Sequence, residues 1–414
     1  MNMLRKKIYM TAGYNTISLG TGRKEFHPKK PRPDIEHYIK EAGEGTMKKL
    51  KNSESIDESV IGNFMAARYN KQAHLGAFAP MISPVLEYKP SLSVEAACAS
   101  GGMALMTGMK SVLADTADSV LAIGVEVQNS VKAVYGADIL AGAGYFKDRK
   151  TGHAHFFPGQ FSDRAGAYFE KFGREKTRKA YARWYKQAIE NARLCDTAQE
   201  FHNTHPDPEA LHFKSEPNPK VFTDHLNVFD CSKVSDGASA IAILSEEGLK
   251  KHGVDKSQAV EIVGYGHSVE DITQKPKDPT VLHTMADAIA KAMKMAGITK
   301  DEIGTVEIHD CFTAAAVLGV EAIGFAEHGK GTDFILDGHT DRNGMVPFNT
   351  TGGLIGWGHP TGATGVHMAV TIWEQLTGNA GKAQIEMKPD RPYGMSVNMG
   401  GDDKTLMAII YKRA

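Results

Sequence analysis

Two glycine-rich turns constrain this chain more than any other feature. Ser100-Gly-Gly102 and Thr361-Gly-Ala-Thr-Gly365 each mark the start of an amphipathic stretch. The first stretch, residues 98–114, predicts a helix, and the apolar run 119–125 after it predicts a buried strand. The second, 363–376, predicts a helix, and the run 404–411 predicts a closing strand. A further strand is expected at 238–244, and the first begins almost at the N-terminus. Such alternation belongs to α/β or layered αβα folds. Its recurrence at corresponding places hints at two related halves without an overt repeat. A length of 414 residues allows about two to four folded units.

Composition excludes several function classes. Lys and Arg number 48 against 49 Asp and Glu, so the net charge of −1 gives no electrostatic footprint for nucleic acid or an anionic membrane. Four cysteines make no disulfide scaffold and point to a reducing compartment. No apolar run reaches the ~18–20 residues of a membrane span. The basic N-terminus has no apolar segment behind it, and Tyr-Lys-Arg-Ala at the C-terminus is no retention signal. A cytoplasmic protein without a leader is expected.

The middle of the chain differs. Residues 147–193 hold twelve Lys or Arg against five Asp or Glu, and 204–220 are rich in Pro and His. We expect an inserted subdomain over 131–222, a first half over 1–130 and 223–257, and a second half over 258–414. The basic stretch reads equally as a solvated helix face or as a landing site for a phosphorylated ligand.

Four motifs could carry chemistry. Cys98 ends a strand-like run and precedes a helix, where the positive helix end would lower its thiol pKa; a buried structural cysteine is the plainer reading. His359 stands among six glycines between 352 and 365, which would let backbone approach a ligand, and can serve as base to a thiol. His309 and Cys311 bracket Asp310 at an expected strand-to-helix junction, where open sheets place their sites. Ser396-Val-Asn398-Met-Gly400-Gly401 precedes the last strand, and its glycines could aim an N–H at an oxyanion. His202, His205 and His212 with Cys195 and Cys231 match no zinc spacing and read as surface-loop residues. Asp402-Asp403 reads as a charged turn. No P-loop or strand–GxGxxG–helix unit is present, so neither ATP nor NAD is indicated.

In their order and spacing, Ala97-Cys98-Ala-Ser-Gly-Gly102, His309-Asp-Cys-Phe312, the glycine loop around His359 and the final Gly400-Gly401 turn resemble the thiolase superfamily over nearly the whole chain. Gly124-Val-Glu126 and Ser235-Asp-Gly-Ala238 extend the likeness. The His-Asp-Cys-Phe motif is similar to that of the sterol-carrier-protein-2 type thiolases and their bacterial and archaeal acetyl-CoA acetyltransferase relatives. The resemblance implies a five-layered αβαβα thiolase fold from two similar halves, with an inserted loop domain that binds coenzyme A. It implies Cys98 as the acylated nucleophile, His359 as its base, His309 in one oxyanion hole, and Gly400 with the Cys98 N–H in a second. Cys311 becomes the acid/base candidate, because Asn398 stands where familiar thiolases carry a second cysteine. Ser232 and Asn398 are the implied substrate contacts. The implied reaction is thiolysis or Claisen condensation of 3-oxoacyl-CoA through an acyl-Cys98 intermediate, with coenzyme A as substrate, no tightly bound cofactor and no metal. A homodimer or dimer of dimers is expected, with Pro80, Met81 and 128–135 as interface material, and a small zinc-ribbon/OB-fold protein as a partner. Rival readings are transfer to a non-CoA acceptor, a ketoacyl-synthase-like condensing enzyme, and a non-catalytic or partner-dependent subunit. Trp357 and the segment 156–161 are candidates to narrow an acyl pocket.

Overall fold

The computed structural model describes residues 4, 6–149, 155–220 and 222–414. All its strands but the edge strand Ser91–Val94 are buried along most of their length, and that decides the architecture. In β1 (Ile8–Asn15), β2 (Glu58–Gly62), β3 (Ser91–Val94), β4 (Ser119–Val127) and β5 (Asp236–Leu244), the last two are buried at every residue. The second half adds β6 (Val260–Val269), β7 (Ile303–Ile308), β8 (Tyr393–Gly400) and β9 (Thr405–Arg413). Strands buried on both faces must be covered by helices on both faces.

The strand order is β3-β2-β4-β5-β1-β6-β9-β8-β7. The seam is an antiparallel pairing of Ile8–Met10 with Val260–Ile262. Outward from it the two halves repeat. β1-β5-β4 and β6-β9-β8 are antiparallel, whereas β4-β2 and β8-β7 are parallel. β3 lies parallel to β2, and a parallel bridge from Val306 to Phe348 stands in the corresponding place beside β7.

Helices complete five layers. α1 (Ile35–Met47) covers the outer face of the first half. α2 (Ser100–Leu113) lies centrally, and α3 (Phe156–Phe172) and α4 (Arg174–Ala192) belong to the segment between β4 and β5. α5 (His283–Ala296) and α6 (Thr313–Ile323) lie on the outer side of the second half. α7 (Thr364–Thr377) packs on α2 and touches strands of both halves. Ala104, Leu105, Met109 and Val112 of α2 join Val366, Ala369 and Val370 of α7 in one apolar core, with Ile241 and Ile409 from opposite halves. α2 stops where Asp115 turns left-handed (φ 60). α7 stops at Gly378 (φ 77), whose N–H bonds Gln375 O while that of Asn379 bonds Glu374 O.

The predicted helices and strands stand within a few residues of their expected places, although Gly101 and Gly102 lie inside the first turn of α2. One expectation holds with an addition and one is corrected. Asp402-Asp403 forms a turn, as expected, and the turn is buried: Asp402 accepts from Arg164 Nε at 2.6 Å, and Asp403 accepts from Thr284 and Met285 N–H at the start of α5. His212 is buried, with Nε2 2.7 Å from Asp230, rather than at a surface loop. The basic stretch is largely compensated. Arg164, Lys171, Lys176, Arg178, Arg183 and Lys186 each pair with a carboxylate outside the stretch; Lys150 lies outside the described residues. Although the insert interrupts the first half in sequence, Phe161, Tyr181 and Trp184 share a core with Ile308, Phe312 and Val317 of the second half.

Candidate active site

Cys98 sits in the link between β3 and α2. Ala97 before it is left-handed (φ 52), and Ser100 Oγ accepts from Ala96 N–H and donates to Ala97 O, which closes the turn. The thiol residue is partly exposed, while Ala99 and Ser100 are buried. Its pKa does not fall. Desolvation and then the Glu126 carboxylate push it up to about 12, against the Gly401 N–H and its own N–H. Burial and a like charge outweigh the helix end, so Cys98 rests as a neutral thiol and needs a base.

Two imidazoles stand over it. One ring nitrogen of His309, one of His359 and Cys98 Sγ lie within 4.8 Å of one another. The rings meet edge to face at 5.0 Å. Hydrogen bonds assign their tautomers. Thr364 Oγ1 lies 2.7 Å from His359 Nδ1 and 3.3 Å from Pro360 O; with its hydrogen on Pro360 O it accepts the Nδ1–H and leaves Nε2 of His359 with a lone pair. Asn398 Oδ1 accepts from Gly102 N–H at 3.1 Å, which orients its amide. Its Nδ2 then donates to Cys98 O (3.0 Å) and to His309 Nδ1 (3.2 Å), leaving His309 with Nε2–H. Burial pushes the His359 pKa down to about 3, and that of His309 well below its ordinary value with help from His359. The cluster therefore offers a thiol, a neutral base and a neutral N–H donor. A cation would need a lone pair where His309 turns its N–H.

Asp310 fixes the loop that carries His309. Its carboxylate accepts from Trp184 Nε1 at 2.9 Å and Leu354 N–H at 2.7 Å, and burial pushes its pKa up to about 7. Cys311 is buried, and desolvation followed by the nearby Cys98 raises its pKa well above the ordinary value. Ser232 lies against this loop, its N–H bonded to Cys311 O at 2.9 Å. Asn398 has both amide atoms engaged by protein groups, so it ties Cys98 to His309 instead of presenting a free side chain to substrate. Gly400 is buried against Ala96 O; the N–H on the Cys98 thiol belongs to Gly401.

The glycines around the site serve contact between helix starts. A Cβ on Gly365 would lie 2.2 Å from Gly102 N, and one on Gly101 would lie 2.8 Å from Gly362 O. The starts of α2 and α7 thus cross backbone to backbone. Gln128 turns inward and its Nε2 donates to His359 O at 2.7 Å, so it is not interface material; Val134 and Tyr135 are exposed. Trp357 is fully buried and stacked on His367 at 3.6 Å. A cavity of about 660 Å³ lined by Phe156, Phe222, Ile272, Asp402 and Lys404 excludes the thiol and imidazoles and adjoins them through the Gly401–Asp402 turn. Sequence reasoning missed the roles of Thr364 and Gln128. Thr364 had a signal: it follows His359 by five residues, where the glycine loop enters α7.

Residues 35–180 match the family described as thiolase, N-terminal domain, and residues 264–413 the thiolase C-terminal domain-like family. The acetyl-CoA acetyltransferase of Methanothermobacter thermautotrophicus is 32% identical over 91% of this chain and 94% of its own. Sterol carrier protein 2 of Oryctolagus cuniculus is 28% identical over 75% of this chain and 56% of its own. Among solved structures, the Ltp2-ChsH2(DUF35) aldolase superposes over 99% of both chains with a TM-score of 0.76 at 17% identity, a likeness of fold.

Proposed function

This chain belongs to the thiolase family of acyltransferases, and on that premise we propose that it cleaves or forms 3-oxoacyl-CoA through an acyl group on Cys98. The observation that carries the reading is the cluster of the Cys98 thiol with the imidazoles of His309 and His359, all within 4.8 Å of one another. In the cleavage direction His359 Nε2 takes the Cys98 proton as Sγ attacks the 3-oxo carbon. The N–H of His309 is one donor for the thioester oxygens, and the Gly401 N–H another at the nucleophile. When the C2–C3 bond breaks, the carbanion at C2 takes a proton from the Cys311 thiol, whose raised pKa suits it to that role. Coenzyme A then attacks the acyl-Cys98 thioester, its proton restoring Cys311, and the departing Cys98 recovers its own from His359. The steps are proton transfers, one carbon–carbon cleavage and one acyl exchange between thiols, and no tightly bound cofactor enters.

Coenzyme A would lie along the insert and Ser232, which meets the His309–Phe312 loop. A homodimer or dimer of dimers, and a small zinc-ribbon/OB-fold partner like the DUF35 chain in the aldolase name, complete the proposal. No helix among the described residues is long and apolar enough to cross a membrane.

Incubation with acyl-CoAs from acetyl to long chain, followed by mass spectrometry of the Cys98 peptide, tests the reading. An acyl adduct on Cys98, absent in Cys98→Ala, is expected. No adduct with any ester, alone or with a candidate partner, would overturn it in favour of a non-catalytic subunit. An adduct released to an acceptor other than coenzyme A would favour the non-CoA or ketoacyl-synthase-like alternative.

A further inference from the structure

Glu126 is fully buried at the end of β4 and no step above uses it. Its carboxylate accepts five hydrogen bonds. Asn63 Nδ2 (3.1 Å) and Met65 N–H (3.2 Å) reach Oε1; Phe64 N–H (3.0 Å), Thr361 Oγ1 (2.8 Å) and Gly362 N–H (3.1 Å) reach Oε2. Three come from the loop after β2 and two from the turn that follows His359. Four of the five partners can only donate, and the fifth, the Thr361 hydroxyl, can donate or accept, so the arrangement favours the carboxylate. Burial raises its pKa on balance, against the pull of these donors. The turn it grips also presses on the first half through Gly362, where a Cβ would stand 2.3 Å from Val125 O.

We propose that Glu126 is a positioning residue for acyl transfer: as a buried carboxylate it fastens the His359 turn of the second half to the β2 loop and β4 end of the first. The assignment rests on Cys98 and His359 acting as above. Removing the fastening lets His359 drift from the thiol, and small errors in the placement of a base are costly in rate.

Two variants of the full chain test the fastening. Glu126→Gln turns an NH2 toward N–H donors, and Thr361→Val removes one strut. Acetyl-CoA turnover gives kcat and KM, and the rate of Cys98 alkylation by iodoacetamide at pH 8, read on the Cys98 peptide, reports the grip of the base on the thiol without any acyl substrate. Glu126→Gln is expected to lower kcat about 10–100-fold with KM nearly unchanged and to slow alkylation; Thr361→Val is expected to lower kcat several-fold in the same pattern. Thr361→Val at wild-type turnover and alkylation rate, or a loss that falls on KM alone, would overturn the proposal. Should Glu126→Gln not fold, Thr361→Val alone decides: reduced kcat with slowed alkylation supports the fastening, and unchanged turnover overturns it. If wild-type Cys98 takes no acyl group, the proposed function fails by itself, while the alkylation rate still judges Glu126.

Discussion

The two halves share a strand order and place a polar residue near the end of equivalent strands, Glu126 on β4 and Asn398 on β8. Each reaches across to the helix start of the other half, Glu126 to Gly362 before α7 and Asn398 to Gly102 in α2. The difference is chemical. A carboxylate only accepts, so Glu126 gathers donors. An amide accepts and donates, so Asn398 holds Gly102 and also gives hydrogens to Cys98 O and His309 Nδ1. The second donation fixes the tautomer of His309. One scaffold used twice thus yields a negative anchor beside the thiol in one half and a tautomer lock in the other.

Breaking the lock has the largest expected effect. Asn398→Asp removes the donor to His309 and adds a charge beside it, and a fall in kcat of roughly 100-fold or more is expected. Steady-state kinetics with acetyl-CoA check it; a change under threefold would mean the amide is incidental. Helix crossing comes next. Gly365→Ala, whose Cβ meets backbone at 2.2 Å, should destabilise the chain by about 3 kcal/mol, and Gly101→Ala, at 2.8 Å, by less. Urea unfolding ranks the two, and equal losses would deny the crossing its asymmetry.

Thr364→Val removes the acceptor that fixes His359, and about tenfold in turnover is expected with stability nearly unchanged. The smallest effect is in pH dependence. The folded His359 has its pKa pushed down to about 3, so between the ordinary imidazole value and that point the unfolded chain binds a proton the folded chain does not. Stability therefore falls as pH falls through this window. His359→Gln should flatten the fall by at most about 3 kcal/mol between pH 6.5 and 4.5, read from unfolding midpoints. An unchanged slope would place the ring in a more hydrated setting.

The strands and central helices were legible because apolar runs and helical spacing are local. Cys98, His309 and His359 were legible because each stands on a turn with small neighbours. What made Asn398 a lock was not, since its partners Cys98, Gly102 and His309 lie 300, 296 and 89 positions away. The burial of the Asp402 turn was not legible for the same reason, its partner Arg164 being 238 positions distant. The lowered thiol pKa expected for Cys98 failed because helix position is local, whereas burial and Glu126 are tertiary. The basic stretch looked free because its counter-charges, such as Asp333 and Asp341, belong to other segments.

The central claim is that Asn398 and Thr364 hold the two imidazoles, His309 and His359, neutral and in opposite tautomers. Nitrogen-15 NMR of the histidine rings at pH 6, assigned with His309→Gln and His359→Gln, tests it most directly. The account predicts the proton on Nε2 of His309 and on Nδ1 of His359, with neither ring charged. The same tautomer in both, or an imidazolium in either, would contradict it.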